Sequence, residues 1–90
     1  MNLTDKITIS PQAMARQVDD ETVILHLGSG TYFGLDPVGA RIWKLMGEGK
    51  TPAEICEVIL EEYDVLREDL ERDTMKLVQD LLAQDLIGPA

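Results

Sequence analysis

The sequence predicts an α+β domain: a small three-stranded antiparallel sheet followed by three helices. Three observations predict it. Val23, Leu25 and Leu27 alternate with their neighbours up to Gly28-Ser29-Gly30, which is the signature of a strand entering a tight hairpin. Asp36-Pro37 and Thr51-Pro52-Ala53-Glu54 are helix starts, each with a capping side chain and a proline at the first helical position. From Arg67 to Leu86 the apolar residues recur at helical spacing.

Taken in order, Met1 to Pro11 contains one alternating piece, Ile7-Thr8-Ile9, read as a frayed arm or an edge strand. Residues 1–12 are therefore set apart from a domain spanning 13–90. Met14 to Val18 and Thr22 to Leu27 form a first hairpin through the polar turn Asp19-Asp20-Glu21, with Val23, Leu25 and Leu27 facing the core. Thr31 to Leu35 returns as the third strand. The first helix carries Val38, Ile42, Leu45 and Met46 on one face and ends at Gly47-Glu48-Gly49. The second opens on the Thr51–Glu54 capping box, places Ile55, Val58, Ile59 and Tyr63 on one stripe, and stops near Asp64. The third carries Leu70, Thr74, Leu77, Val78 and Leu81 along one face, with Met75, Leu82 and Leu86 beside it. That sector is wider than one core contact needs, so the helix is expected to touch something besides its own domain. Gly88-Pro89 is read as its terminator.

A chain of 90 residues supports one core. One cysteine excludes an internal disulfide, and no apolar run approaches membrane-spanning length. The N-terminus has no signal-peptide pattern, so a cytoplasmic protein is expected. A formal net charge of −9 disfavours nucleic acid, whose binding needs basic side chains against phosphates, and favours a neutral or basic peptide.

Catalytic signals are absent. Gly49-Lys50-Thr51 imitates the end of a phosphate loop, but Lys44 stands where that loop needs glycine, and a helix precedes it instead of a strand. His26 has no second ligand at metal-binding spacing, so it reads as structural or exposed. Cys56 lies between Glu54 and Glu57, which raise a thiol pKa, so it reads as a small buried side chain. The carboxylates of the third helix pair with Arg67, Arg72 and Lys76 at helical spacing. Trp43 and Phe33 are expected in the core. Tyr32 then faces outward, and if its strand is the last of the sheet, the free backbone groups offer a template for an extended peptide.

The runs Gly30-Thr31-Tyr32-Phe33-Gly34-Leu35-Asp36, Val38-Gly39-Ala40-Arg41-Ile42-Trp43, Thr51-Pro52-Ala53-Glu54-Ile55 and Leu82-Ala83-Gln84-Asp85-Leu86-Ile87, in that order and spacing, resemble the PqqD-like family, also called the RiPP recognition element. The resemblance covers roughly Val18 to Ile87 and is greatest to stand-alone members from lasso-peptide pathways. It implies a winged helix-turn-helix domain without catalytic activity or cofactor, which binds the leader segment of a ribosomally made precursor and presents it to a leader peptidase or radical-SAM enzyme. By the same resemblance the leader adds as a strand along Thr31, Tyr32, Phe33, Gly34 and Leu35 and packs on the third helix at Asp69, Leu70, Asp73, Thr74, Lys76 and Leu77. The family often has a small polar cap before that helix, where this chain has Leu66. A monomer or weak dimer is expected. The competing class is a DNA-binding winged helix, which needs a basic recognition helix where this one is acidic.

Overall fold

A computed structural model describes residues 2–90. Eight elements follow one another: β1 (Ile7–Ile9), β2 (Ala13–Val18), β3 (Glu21–His26), β4 (Tyr32–Leu35), α1 (Pro37–Gly47), α2 (Pro52–Glu62), α3 (Arg67–Ala83) and β5 (Ile87–Pro89). The three-stranded antiparallel sheet has the order β2-β3-β4, and β1 pairs with β5 in a separate two-stranded sheet.

The local chemistry accounts for the helix starts. The Asp36 carboxylate accepts from the Gly39 N–H at 2.7 Å, so α1 begins on a capped turn with proline at its head. In α2 the Thr51 hydroxyl accepts from the Glu54 N–H at 3.3 Å, and the Glu54 carboxylate accepts from the Thr51 N–H at 2.9 Å. The α3 helix starts without a side-chain cap, behind Leu66. Between β3 and β4 the turn closes through Gly30, whose φ of 74° lies in the region glycine adopts freely.

The core is one cluster. Ile24 and Leu35 from the sheet meet Ile42, Leu45 and Met46 of α1, Ile55 and Ile59 of α2, Val78 and Leu81 of α3, and Ile7 and Ile87 of the small sheet. Trp43 is buried as expected, whereas Phe33 is only half-buried. Cys56 lies inside, where its thiol donates to the Thr74 hydroxyl at 3.7 Å. Burial is the main force pushing that thiol pKa up, ahead of any neighbouring carboxylate.

Three expectations are corrected and one open choice is resolved. First, the core-facing residues of β3 are Ile24 and His26; Val23 and Leu25 lie on the opposite face and Leu27 is exposed. Second, of the two readings of Ile7–Ile9 the strand holds: it pairs with β5 at the edge of a two-stranded sheet, with Ile7 in the core. Third, α3 ends at Ala83 and Gly88-Pro89 belongs to β5, so they do not terminate the helix. The terminator is Asp85: its N–H donates to the Leu82 carbonyl at 3.1 Å and the Leu86 N–H to that of Leu81 at 3.0 Å, a Schellman closure with Asp at φ 58° where glycine is usual. Fourth, Tyr63 sits at the end of α2 with 39% exposure, outside the buried stripe.

Candidate functional site: an open strand edge beside a groove

The exposed edge follows from hydrogen-bond parity. Ile24 lies opposite Phe33 and Leu25 opposite Tyr32, and the His26 N–H donates to the Thr31 carbonyl at 2.9 Å. In an antiparallel pair hydrogen-bonded positions alternate, so Phe33 and Leu35 spend their backbone groups on β3. The N–H and C=O of Tyr32 and of Gly34 therefore point away from the sheet. Because β4 is the last strand in the order β2-β3-β4, no described residue pairs with them.

The side chains divide by the same parity. Phe33 and Leu35 face the helices; Tyr32 faces outward at 72% exposure. On that outer face Tyr32 joins Met14, Val18, Val23 and Leu25 around Arg16, in a shallow concavity of about 470 Å³.

On the inner side β4 and α3 stand apart and leave a groove of about 750 Å³. Its wall from the sheet is Phe33, Gly34 and Leu35, its floor is Val38, Gly39 and Ile42 of α1, and its far wall is Asp69, Leu70, Asp73 and Leu77 of α3. Asp36, Asp64, Val65 and Leu66 close one end. Leu66 is 70% exposed and Val65 45%, so the mouth is apolar as well as the floor. Around it stand four carboxylates. Asp36 is committed to the α1 cap, and Arg72 bridges Asp69 at 3.2 Å and Asp73 at 3.6 Å. Among the described residues Asp64 makes no ion pair. The surface therefore offers backbone donors and acceptors on one side, apolar pockets beneath, and a negative rim.

Of the residues singled out from sequence, Phe33, Gly34, Leu35, Asp69, Leu70, Asp73 and Leu77 come together along this groove. Thr31 and Tyr32 lie at the strand's beginning and outer face, and Lys76 is exposed off the lining. Thr74 is fully buried between α2 and α3 against Cys56. Sequence reasoning missed Val38, Gly39 and Ile42, which double as core, and Asp64, Val65 and Leu66. The last had a readable signal: two large apolar residues in a connection that should be polar.

His26 is the one buried histidine. Its Nδ1 accepts from the Ser29 N–H at 3.1 Å, which leaves Nε2 to donate to the Asp85 carboxylate at 3.2 Å. Elsewhere, the Arg41 guanidinium holds the Glu62 carboxyl below its usual range through a two-pronged contact at 2.6 and 2.9 Å, and Arg67 does the same for Glu57 at 2.6 Å. Neither pair enters the groove. No helix of the described residues is long and apolar enough to cross a membrane, and no group of three metal-binding side chains occurs among them.

No curated protein matches the chain. Two solved structures do. TbiB1 in complex with the TbiA(beta) leader peptide is 48% identical over 88% of this chain and 92% of that one, with a TM-score of 0.81. A lasso peptide synthetase B1 complexed with the leader peptide is 31% identical over 92% of this chain and 98% of that one, with a TM-score of 0.84. The family model described as coenzyme PQQ synthesis protein D (PqqD) matches residues 21–87, which takes in the meander's second hairpin, the groove and all three helices, and the chain belongs to that PqqD family.

Proposed function

We propose that this protein binds the leader segment of a ribosomally made precursor peptide and holds it for a maturation enzyme, without performing chemistry itself. The observation that carries the reading is the open edge of β4 beside the groove. A guest strand there takes the N–H and C=O of Tyr32 and Gly34, and every second side chain of the guest drops toward Phe33, Leu35, Leu70 and Leu77. Backbone pairing supplies affinity and the pockets supply register.

The leader complexes of the two similar structures support the same reading, as does the acidic rim, which suits a leader with basic residues. We take α2 and α3 as the helix-turn-helix and the β3-β4 hairpin as the wing. The DNA-binding reading has no observation in its favour, since Asp69, Asp73 and Asp80 lie along α3, where a groove-reading helix needs basic residues. The partner enzyme of a lasso pathway is a leader peptidase; a radical-SAM enzyme is the alternative in other pathways. A cytoplasmic setting and a monomer or weak dimer fit this role.

The test is a calorimetric titration of the protein with the TbiA(beta) leader and with the leader peptide of the lasso peptide synthetase B1 complex as a second probe. Saturable one-to-one binding at or below tens of micromolar is expected. Lack of saturation with both peptides refutes the proposal, and salt-dependent retardation of duplex DNA would install the alternative.

A further inference from the structure

His26, Ser29 and Asp85 form a contact that the peptide-binding reading does not use, and it joins the β3-β4 hairpin to the segment that follows α3, outside the groove lining. His26 is opposite Thr31, the residue before β4, and Asp85 follows the last turn of α3. The ring is held from both sides, its Nδ1 by the Ser29 N–H and its Nε2 by the Asp85 carboxylate. Gly28 makes room for it, because a Cβ there would lie 3.1 Å from the ring Cε1.

Asp85 is the telling residue. It occupies the left-handed position of the α3 terminus at φ 58°, which glycine adopts freely and aspartate at a modest cost, as Asp19 also does at φ 56°. A helix terminator chosen for stability alone would be glycine. Aspartate accepts the strain and gains a carboxylate that reaches His26.

We infer that His26 and Asp85 are positioning residues, a latch that ties the β3-β4 hairpin to the end of α3 and so sets the width of the groove between β4 and α3. The value of the latch for binding rests on the function proposed above; its effect on the groove does not. With the latch open, the hairpin keeps its core contacts through Ile24 and Leu35 but loses its polar tie to the end of α3, and β4 samples a wider range of distances from Leu70 and Leu77.

The experiment uses the full chain with Cys56→Ala and spin labels on two exposed positions, Tyr32→Cys on β4 and Lys76→Cys on α3, measured by pulsed dipolar spectroscopy without peptide. A narrow distance distribution is expected for the parent. Asp85→Gly should broaden or shift it in a protein that still melts cooperatively, since the relieved backbone offsets part of the lost His26 hydrogen bond. Asp85→Asn, which keeps an acceptor and tolerates the same φ, should restore the parent distribution. In the unlabelled protein, Asp85→Gly should weaken leader binding by at least about twofold and at most about twelvefold, the range set by the worth of one hydrogen bond. An unchanged distribution in Asp85→Gly overturns the latch. A distribution that responds in a protein that binds neither leader overturns the proposed function and leaves the latch standing.

Discussion

Gly34 is the position at which strand addition is most sharply testable. It lies on the non-bonded side of the β3-β4 ladder, so its N–H is one of two donors that β4 offers to a guest, the other being that of Tyr32. Proline at 34 deletes that donor and puts a ring carbon in its place. The rest of the fold gives little resistance: the strand is an edge, the N–H serves no bond inside the protein, and a Cβ built at Gly34 meets no atom within 4 Å. One backbone hydrogen bond contributes about 0.5–1.5 kcal/mol net, so its loss alone weakens binding roughly two- to twelvefold, and the ring's bulk against the guest adds to that.

Two companions separate the causes. Gly34→Ala keeps the N–H and should bind as the parent does. Phe33→Pro removes an N–H that donates to Ile24 within the sheet, leaves the partner carbonyl unsatisfied, and should lower the melting temperature as well as affinity. The assay is leader titration beside a thermal melt for each variant. If Gly34→Pro folds like the parent and binds the leader with unchanged affinity, the guest does not pair with β4, and the reasoning from ladder parity fails.

Tyr32→Ala should leave the melting temperature within a degree or two, since the ring is 72% exposed, which differential scanning fluorimetry will check. Phe33→Ala should cost about 2 kcal/mol in denaturant unfolding, less than the roughly 3–5 kcal/mol of a fully buried ring, because Phe33 only lines the groove. Thr51→Ala should cost about 1 kcal/mol, or a fall of roughly 4–8 °C in melting temperature for a domain of this size, by loss of the α2 cap. The hydrogen bond from the Thr51 N–H holds the Glu54 carboxyl below its ordinary value of 4.5, so its stabilisation is complete above that pH and is lost as pH falls through the lower folded value; Glu54→Gln should flatten the acid limb of a stability profile. Asp69→Asn with Asp73→Asn should weaken a basic leader by at most about 1 kcal/mol per exposed pair and reduce the salt dependence of its affinity, measured by titration at two ionic strengths.

The helix starts were legible because capping chemistry is local: Asp36-Pro37 and the Thr51–Glu54 box need no tertiary partner, and both form as read. The parity of β4 was also legible, since Phe33 and Leu35 alternate with polar or absent side chains and do face the helices. On β3 the same rule gave the wrong face. Val23, Leu25 and Leu27 outnumber Ile24 as apolar alternates, but register with β4 is fixed by the turn, and Ile24 lies opposite Phe33. The inward place two residues on belongs to His26, which no apolar count would choose. It is tolerated there because Ser29 and Asp85 satisfy both ring nitrogens. Asp85 in turn is brought near only by the Schellman turn after α3, and the chain beyond it becomes a strand because β1 supplies a ladder for Ile87–Pro89. One distant contact thus accounts for both misreadings: the histidine that reverses the face of β3 and the aspartate that ends α3 early are partners. The outward turn of Val23 and Leu25 follows from the same register. It leaves an apolar outer face on the hairpin, while the inner face of β4 turns toward the groove lined by Leu70 and Leu77.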